Sequence, residues 1–296
     1  MDNNKMRPHF NLFDALIILL VILAISAATM LRNRGTNTPA GPAHTNVPMR
    51  FTVELTAAPH GMADVMQVGC DVYRSTDNLY LGKLVDLVKK PHVENSYSQQ
   101  TGEYTVYESE DTDDLYLTIE NDGYVTPKEI VIGSLTARIG TEVPVKGKGF
   151  AKSGYIVGID TMTADVPADD SVGAGELETV YQIRFADVRD FIADNYHVGD
   201  RLYEFVTGAQ LGVIEDIRVE PYSVEQIGPD GSVVRPVRPE RYMLTLTLRG
   251  RAVEKPDGYY LDGATELKIG AFDGSNSRYV VRSFQYDKLL SVEAAK

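Results

Sequence analysis

This sequence of 296 residues has only one cysteine, Cys70, and no tryptophan. A single cysteine cannot close an intrachain disulfide, so disulfide-stapled scaffolds and cysteine-rich zinc modules are excluded. The five histidines are scattered along the chain without the spacing of metal ligands. Cys70 is therefore expected to be a free thiol without a catalytic function.

Positive charge is also scarce. Lysine and arginine number 29 against 42 aspartates and glutamates, which gives a net charge of −13. Binding to nucleic acid needs a clustered positive field, so nucleic acid is not an expected partner. Hydrophobic residues make up 43% of the chain and charged residues 24%, as is usual for a globular protein.

The sequence lacks the common catalytic signatures. It has no His-Glu-x-x-His segment, no Gly-x-Ser-x-Gly nucleophile turn and no complete phosphate-binding loop. An acidic run at residues 108–114 lacks the ligand spacing of a calcium loop. We therefore predict a protein that is not an enzyme, with no catalytic residue, no metal site and no cofactor.

One uncharged apolar run lies near the amino terminus, at residues 15–31, after a tail at residues 1–14. This length suffices for a short transmembrane helix. The alternative is a secretory signal cleaved after the small residues Ser26, Ala27 and Ala28. The apolar run continues through Met30 and Leu31, which favours a retained single-pass anchor. Basic residues flank both sides almost equally, and we predict that the larger carboxyl-terminal part is extracytoplasmic, at the cell membrane.

Composition divides the remaining chain. Residues 32–48 are rich in Gly, Pro, Thr, Asn and Ala, which predicts a linker. Beyond it we expect a first β repeat at 49–165, a linker at 166–178, a second β repeat at 179–286 and a tail at 287–296.

The two repeats are predicted from self-similarity at an offset of 130 residues. Residues 63–91 align with residues 193–221 without a gap. The identical pairs are Ala63/Ala193, Asp64/Asp194, Val68/Val198, Gly69/Gly199, Tyr73/Tyr203, Leu81/Leu211, Gly82/Gly212, Asp86/Asp216 and Pro91/Pro221. Farther along, residues 116–119 are matched with residues 243–246. The glycines Gly69, Gly82, Gly199 and Gly212, with Asp200, are expected to shape turns and close backbone approaches.

Each repeat is predicted to consist mostly of β-strands. Large apolar residues alternate with polar ones at Phe51, Val53 and Leu55, and again at Tyr181, Ile183 and Phe185. One short helix per repeat is predicted, at residues 60–66 and at residues 187–195, where Asp187 could cap the first turn. The predicted fold is mainly β: an N-terminal transmembrane helix, then two tandem homologous β-barrel or sandwich-like modules.

These residues carry a resemblance to a known family. Three features carry the resemblance: the run Phe10-Asn11-Leu12-Phe13-Asp14 before the apolar segment, the Val-Gly-Asp step, and the Leu-Gly step before an aspartate. In these features the chain resembles the bacterial family known as domain of unknown function 4330. The resemblance implies single-pass membrane proteins of bacterial origin, and here a two-copy version. Cys70 stands where the motif has aspartate. The family implies an architecture and no mechanism.

Charge distinguishes the two repeats. Five arginines, Arg235, Arg238, Arg241, Arg249 and Arg251, are clustered in repeat two, while repeat one has the acidic run 108–114. The arginines are either a soluble hairpin edge or an anion- or partner-binding patch. The leading hypothesis is a non-catalytic anchored scaffold for a cell-envelope component, such as an envelope protein or a second copy of the chain. The alternatives are binding of an anionic envelope polysaccharide at the arginines, and an enzyme that processes an envelope polymer.

Overall fold

The computed structural model describes residues 45–162 and 173–295, in which most residues belong to β-strands. The first half contains β1 (Val47–Pro59), β2 (Asp71–Arg74), β3 (Tyr80–Ser98), β4 (Glu103–Val125), β5 (Ile130–Ile132), β6 (Leu135–Ala137), β7 (Glu142–Gly147) and β8 (Phe150–Asp160). The second half contains β9 (Leu177–Val188), β10 (Arg201–Glu204), β11 (Gln210–Ser223), β12 (Gln226–Ile227), β13 (Val233–Val234), β14 (Val237–Lys255), β15 (Gly258–Leu261), β16 (Thr265–Glu266), β17 (Phe272–Asn276) and β18 (Val281–Ala294). The prediction of a mainly β protein is confirmed.

Each half forms one eight-stranded sheet with the same strand order. The first sheet runs β1-β8-β7-β2-β3-β4-β5-β6, and β4 also pairs with β1. The second runs β9-β18-β17-β10-β11-β14-β15-β16 when it is followed around the β11–β14 pairing. In each sheet six strands therefore close into a ring, and the last two form a hairpin beyond it. We call these the first ring and the second ring; closure corresponds to the barrel rather than the sandwich.

The core follows the predicted alternation. Phe51, Val53 and Leu55 on β1 are buried, and so are their counterparts on β9. Successive side chains of a strand point to opposite faces, so closing the sheet puts every second residue inside. Burying each of these large side chains contributes about 1.5–3 kcal/mol, which makes the apolar alternation the main determinant of the rings.

One of the predicted correspondences between the repeats is wrong by two residues. On β4, Thr118 lies opposite Thr52 and Asp86. On β14, the residue in that place is Thr247, which lies opposite Gln182 and Asp216. Residues 116–119 therefore match residues 245–248, not 243–246. The period-two alternation of apolar residues permits both alignments, and only the hydrogen-bonded register separates them.

Each half has one short helix, as predicted. A 3-10 helix spans His60–Val65 in the first half, and α1 spans Asp190–Ala193 in the second. The predicted cap is wrong, because α1 begins after Arg189 and has no side-chain cap. Asp187 has a positive φ of 56° and binds Arg238 instead, with 2.8 Å between Oδ2 and Nη1.

Several predicted boundaries shift or lie outside the described residues. Four predicted segments lie wholly or partly outside the described residues. They are the tail 1–14, the anchor 15–31, the linker 32–48 up to residue 44, and part of the linker 166–178. In the part of the chain that the structure describes, no helix is both long and apolar enough to cross a membrane. The tail predicted at 287–296 is wrong, because β18 continues to Ala294, opposite Leu177 on β9. Register shifts between Tyr286 and Lys288 and again near Leu289 hide the alternation there.

Candidate functional site

The two rings touch through a short backbone contact. Ile139 follows the hairpin of the first ring, and its N–H donates to the Tyr279 carbonyl at 2.6 Å. Ile139 is fully buried, and a β-carbon at the adjacent Gly140 would lie 3.1 Å from Ile192 of α1. Helix α1 of the second ring is therefore packed on the outer face of the first ring.

A buried ion pair fastens this contact. Arg189, just before α1, donates to both carboxylate oxygens of Glu54 on β1, at 2.5 and 2.7 Å. Tyr116 on β4 donates to the same carboxylate at 2.9 Å. Glu54 is fully buried although its strand position faces away from the ring interior. Burial alone would lower the pKa of Arg189, but the hydrogen bonds to Glu54 raise it, so Arg189 is held in its charged form.

Other inter-ring contacts involve polar groups. Lys128 Nζ lies 4.6 Å from the centre of the Tyr203 ring, and Arg278 Nε donates to the Pro127 carbonyl at 3.2 Å. A cavity of about 410 Å³ lies between the rings. Side chains of both charges line it, among them Lys90, His92, Asp114, Arg189, Asp190, Glu240 and Arg241. Because the charges are mixed, the cavity has no single preferred ligand charge.

The second ring has an open groove on the face that corresponds to the α1-covered face of the first ring. We call this the second-ring groove; it has a volume of about 560 Å³ and is lined by Arg184, Ala186, Met243, Phe272, Arg282, Ser283, Phe284 and Gln285. Arg184 on β9 occupies the position of Glu54 on β1, since Arg184 pairs with Gln285 and Glu54 with Tyr155, 130 residues earlier. Within residues 45–162 and 173–295, the second ring therefore has no helix on the face that holds α1 in the first ring.

Two exposed apolar residues of the second ring differ in environment or type from their counterparts in the first ring. Phe272 is 77% exposed, whereas its counterpart in the first ring is Glu142. Ile269 is 48% exposed, whereas its counterpart Ile139 is fully buried between the rings. Large exposed apolar side chains gathered at one place are typical of an interaction surface.

The first ring has the opposite feature, an uncovered helix. None of the residues of the 3-10 helix His60–Val65 is buried, although Ile192 and Ala193 of α1 are. His60 Nδ1 lies 2.6 Å from Asp113 Oδ2, and its Nε2 lies 2.5 Å from the Glu110 carbonyl oxygen. With acceptors at both nitrogens, the pKa of His60 is raised, first by the Asp113 hydrogen bond and then by the Glu110 carbonyl.

The acidic run belongs to this surface and is not a loop. Residues 108–114 lie within β4. Burial would raise the pKa of Asp113, but hydrogen bonds from Lys89 and His60 hold it below its usual value. Glu110 and Asp111 are exposed, and Asp64 of the 3-10 helix is exposed as well. We call the 3-10 helix with Glu110 and Asp111 the first-ring helix surface.

The five predicted arginines do not form one positive hairpin edge. Arg238 and Arg241 face Asp187, Arg235 pairs with Glu225, and Arg249 pairs with Glu178 and Glu215. Burial, together with nearby Arg238, Arg189 and Arg282, lowers the pKa of Arg241. The strand β14, which carries Arg249 and Arg251, has neighbours on both sides, so it is not an edge. Four of the five arginines, Arg235, Arg238, Arg241 and Arg249, therefore lie beside a carboxylate.

The predicted glycine motif lies at equivalent turns. Gly69 N–H donates to the Leu84 carbonyl at 2.7 Å, and Gly199 N–H donates to the Ile214 carbonyl at 2.8 Å. Gly82 and Gly212 are where two strands approach: a β-carbon at Gly212 would lie 2.5 Å from the Arg249 carbonyl oxygen. The Asp200 carboxylate accepts the His197 N–H at 2.9 Å and thereby closes its turn.

Glu204 and Asp273 are two carboxylates that influence each other's environment in the second ring. Burial and the charge of Glu204 raise the pKa of Asp273. Burial would also raise the pKa of Glu204, but hydrogen bonds from the Thr207 side chain and the following turn lower it. One of these is the Val206 N–H at 2.7 Å. Among residues 45–162 and 173–295, no group of three or more His, Cys, Asp or Glu side chains could hold a metal ion.

Sequence reasoning missed Glu54, Arg189, Arg184 and Phe272. The signal that could have found them was the repeat alignment itself, because Ile139 matches Ile269 and Glu142 matches Phe272 at the same offset. Where one copy has an apolar residue and the other has a charged residue at the same aligned position, the two copies use that face differently.

The comparisons with known proteins agree with the resemblance. The model of the family described as Domain of unknown function (DUF4330) matches residues 3–160. No curated protein and no solved structure matches the chain.

Proposed function

The chain belongs to the DUF4330 family, and from that premise we propose that it is a non-catalytic, single-pass membrane protein that scaffolds a cell-envelope component through its extracytoplasmic β-part. The observation that carries the proposal is the second-ring groove, with Phe272 exposed beside it. Exposed aromatic side chains beside arginine are typical anchors of protein interfaces. Two related rings in one chain suit a scaffold, since one can hold the other while leaving a face for a partner.

We also propose that the second ring is a diverged second copy of the family domain. The common strand order supports this, and so do turn hydrogen bonds that recur at the same offset, Gly140 to Ile156 and Gly270 to Tyr286, both at 2.8 Å. Ala57 and Asp187, two of the six non-glycine residues that have a positive φ in the described part of the chain, are also related by that offset. Independent origins would not be expected to repeat such details.

The proposal is tested by photo-crosslinking in the native host. A photoreactive amino acid replaces Phe272 in the full chain, and the matched control carries it at Glu142, the same position of the first ring. We expect a specific adduct from position 272 and none from position 142, since Glu142 lies on the ring whose groove is filled. The absence of any adduct at position 272 would contradict the proposal.

The polysaccharide alternative has one supporting observation. A cavity of about 160 Å³ is lined by Arg201, Arg249 and Arg251, together with Glu178. Anionic polymer binding would be lost at raised salt and in Arg251→Ser, because exposed charges act over about one Debye length, roughly 8 Å at physiological ionic strength. A chain that binds anionic polymer equally at low and high salt would contradict this alternative.

A further inference from the structure

The contact inside the chain joins two different surfaces and leaves one of each kind unused. The groove face of the first ring, around Glu54, receives Arg189 and α1 of the second ring. The second ring's own groove is open, and the first ring's own helix surface has no buried residue. A contact between unlike surfaces can repeat from one molecule to the next, which gives open chains of subunits unless the rotation closes a ring.

The two unused surfaces complement each other in charge. Arg282 and Arg184 line the second-ring groove. Arg184 also pairs with Asp287, with 2.6 Å between Nη2 and Oδ1, so Arg282 provides most of the positive charge of the groove. The first-ring helix surface has the exposed carboxylates of Asp64, Glu110 and Asp111. Opposite charges on facing surfaces favour association and fix which surfaces meet.

The charges of the internal contact are opposite to those of the two unused surfaces. In the internal contact the groove has the carboxylate of Glu54, and the cation of Arg189 lies beside the helix. An acidic first-ring helix surface would be repelled from a groove that contains Glu54, because like charges facing each other are costly. The reversal therefore directs the first-ring helix surface to a second-ring groove and not to the first-ring groove of another molecule.

Apolar area is available on both surfaces. Phe272 and Ile269 are exposed beside the groove, and Val65 is 46% exposed at the end of the 3-10 helix. Within the chain, the corresponding positions are those of the buried Ile139 on the groove side and of α1, where Ile192 is buried, on the helix side. The unused surfaces thus retain the apolar positions that the internal contact covers.

We propose that copies of this chain associate head to tail, with the second-ring groove of one molecule bound to the first-ring helix surface of the next. The inference rests on the proposed function and names its partner, a second copy of the chain. The internal contact between the rings is the template for the contact between molecules.

The test uses the full chain in detergent or nanodiscs, with mass measured against protein concentration. Phe272→Glu introduces a carboxylate that faces the acidic helix surface, and Asp64→Lys introduces a cation that faces the groove arginines. Each variant should weaken self-association at least about tenfold, in line with the loss of an interface anchor. Val198→Glu, an exposed apolar position elsewhere on the second ring, should leave the association unchanged.

A mixing experiment identifies the geometry. Phe272→Glu retains a working helix surface and Asp64→Lys retains a working groove, so their equimolar mixture should form a dimer and nothing larger. Thermal unfolding checks that each variant is folded. A full chain that remains monomeric at high concentration, or a mixture of the two variants that stays monomeric, would overturn the proposal.

The identity of the adduct at position 272 separates this inference from the proposed function. An adduct between two copies of the chain supports both. An adduct exclusively with another protein contradicts head-to-tail association but supports the scaffold.

Discussion

Single charged residues show how this protein tolerates burial of ions. Glu54 is fully buried yet has three donors, two from Arg189 and one from Tyr116. A buried ion pair contributes little net stability when both partners are present, but removing one partner leaves an uncompensated charge. Because the pair lies between the rings, it makes their contact specific.

Replacing Glu54 by Gln should destabilise the protein by about 3 kcal/mol, because Arg189 would keep a buried charge without its carboxylate. Urea denaturation measures the change in the free energy of unfolding. The matched control is Glu120→Gln, which breaks the partly exposed pair with Arg50 at 2.8 Å and should cost about 1 kcal/mol. Equal losses in the two variants would contradict the role assigned to Glu54.

His60 should make stability depend on pH. Its folded pKa is raised above the ordinary value of 6.5 by Asp113, so the folded state binds the proton more tightly than the unfolded state. The stabilisation is therefore fully present below pH 6.5 and is lost as pH rises through the folded pKa. The melting temperature of the wild type should decline over that range, relative to His60→Gln.

The measurement that checks this directly is an NMR titration of the His60 ring protons. We expect a midpoint above 6.5 in the wild type and a lower midpoint in Asp113→Asn. A midpoint that is the same in both proteins would show that the Asp113 hydrogen bond does not hold the imidazolium.

At the scale of elements, the ring depends on how closely β3 approaches β4. Gly82 has a φ of 139°, and a β-carbon there would overlap the carbonyl oxygen of Glu120. Gly69 has a φ of 91° but no atom within 4 Å of a β-carbon. The two glycines are thus conserved between the halves for different reasons, one for strand approach and one for turn conformation.

Gly82→Ala should therefore cost more stability than Gly69→Ala. Gly69→Ala should lower the free energy of unfolding by about 1–2 kcal/mol through backbone strain. Gly82→Ala must also separate β3 from β4 and should lower it by more than about 3 kcal/mol. Denaturant unfolding of both variants compares them within one protein. A Gly82→Ala protein as stable as Gly69→Ala would mean that the strands can move apart freely.

For the whole molecule, the position of the β-part relative to the membrane can be read from the lone cysteine. Cys70 is partly exposed and lines an open cavity of about 600 Å³ beside Tyr73 and Lys148. A membrane-impermeant maleimide should label it in intact cells if the β-part is extracytoplasmic. Cys70→Ser controls for background, and permeabilised cells give the maximum signal. Labelling only after permeabilisation would place the β-part in the cytoplasm.

The sequence by itself determined the strand content and most strand positions, because period-two alternation and paired glycines are local features that any ring closure must satisfy. It also determined the family, through the motif before the apolar segment and the Val-Gly and Leu-Gly steps. It did not determine the end of β18, where register shifts break the alternation. Nor did it determine the match of residues 116–119, for which the alternation alone permitted two alignments.

Only the tertiary structure decided which charged residues remain available. In the sequence the five arginines form one basic cluster, but folding places Asp187, Glu225, Glu178 and Glu215 against four of them. Conversely, Phe272 is unremarkable in the sequence and lines an open groove of the folded second ring, while Arg184 beside it is paired with Asp287. The physical reason is that ion pairing and exposure depend on residues far apart in the chain, brought together by strand pairing and by docking of one ring on the other.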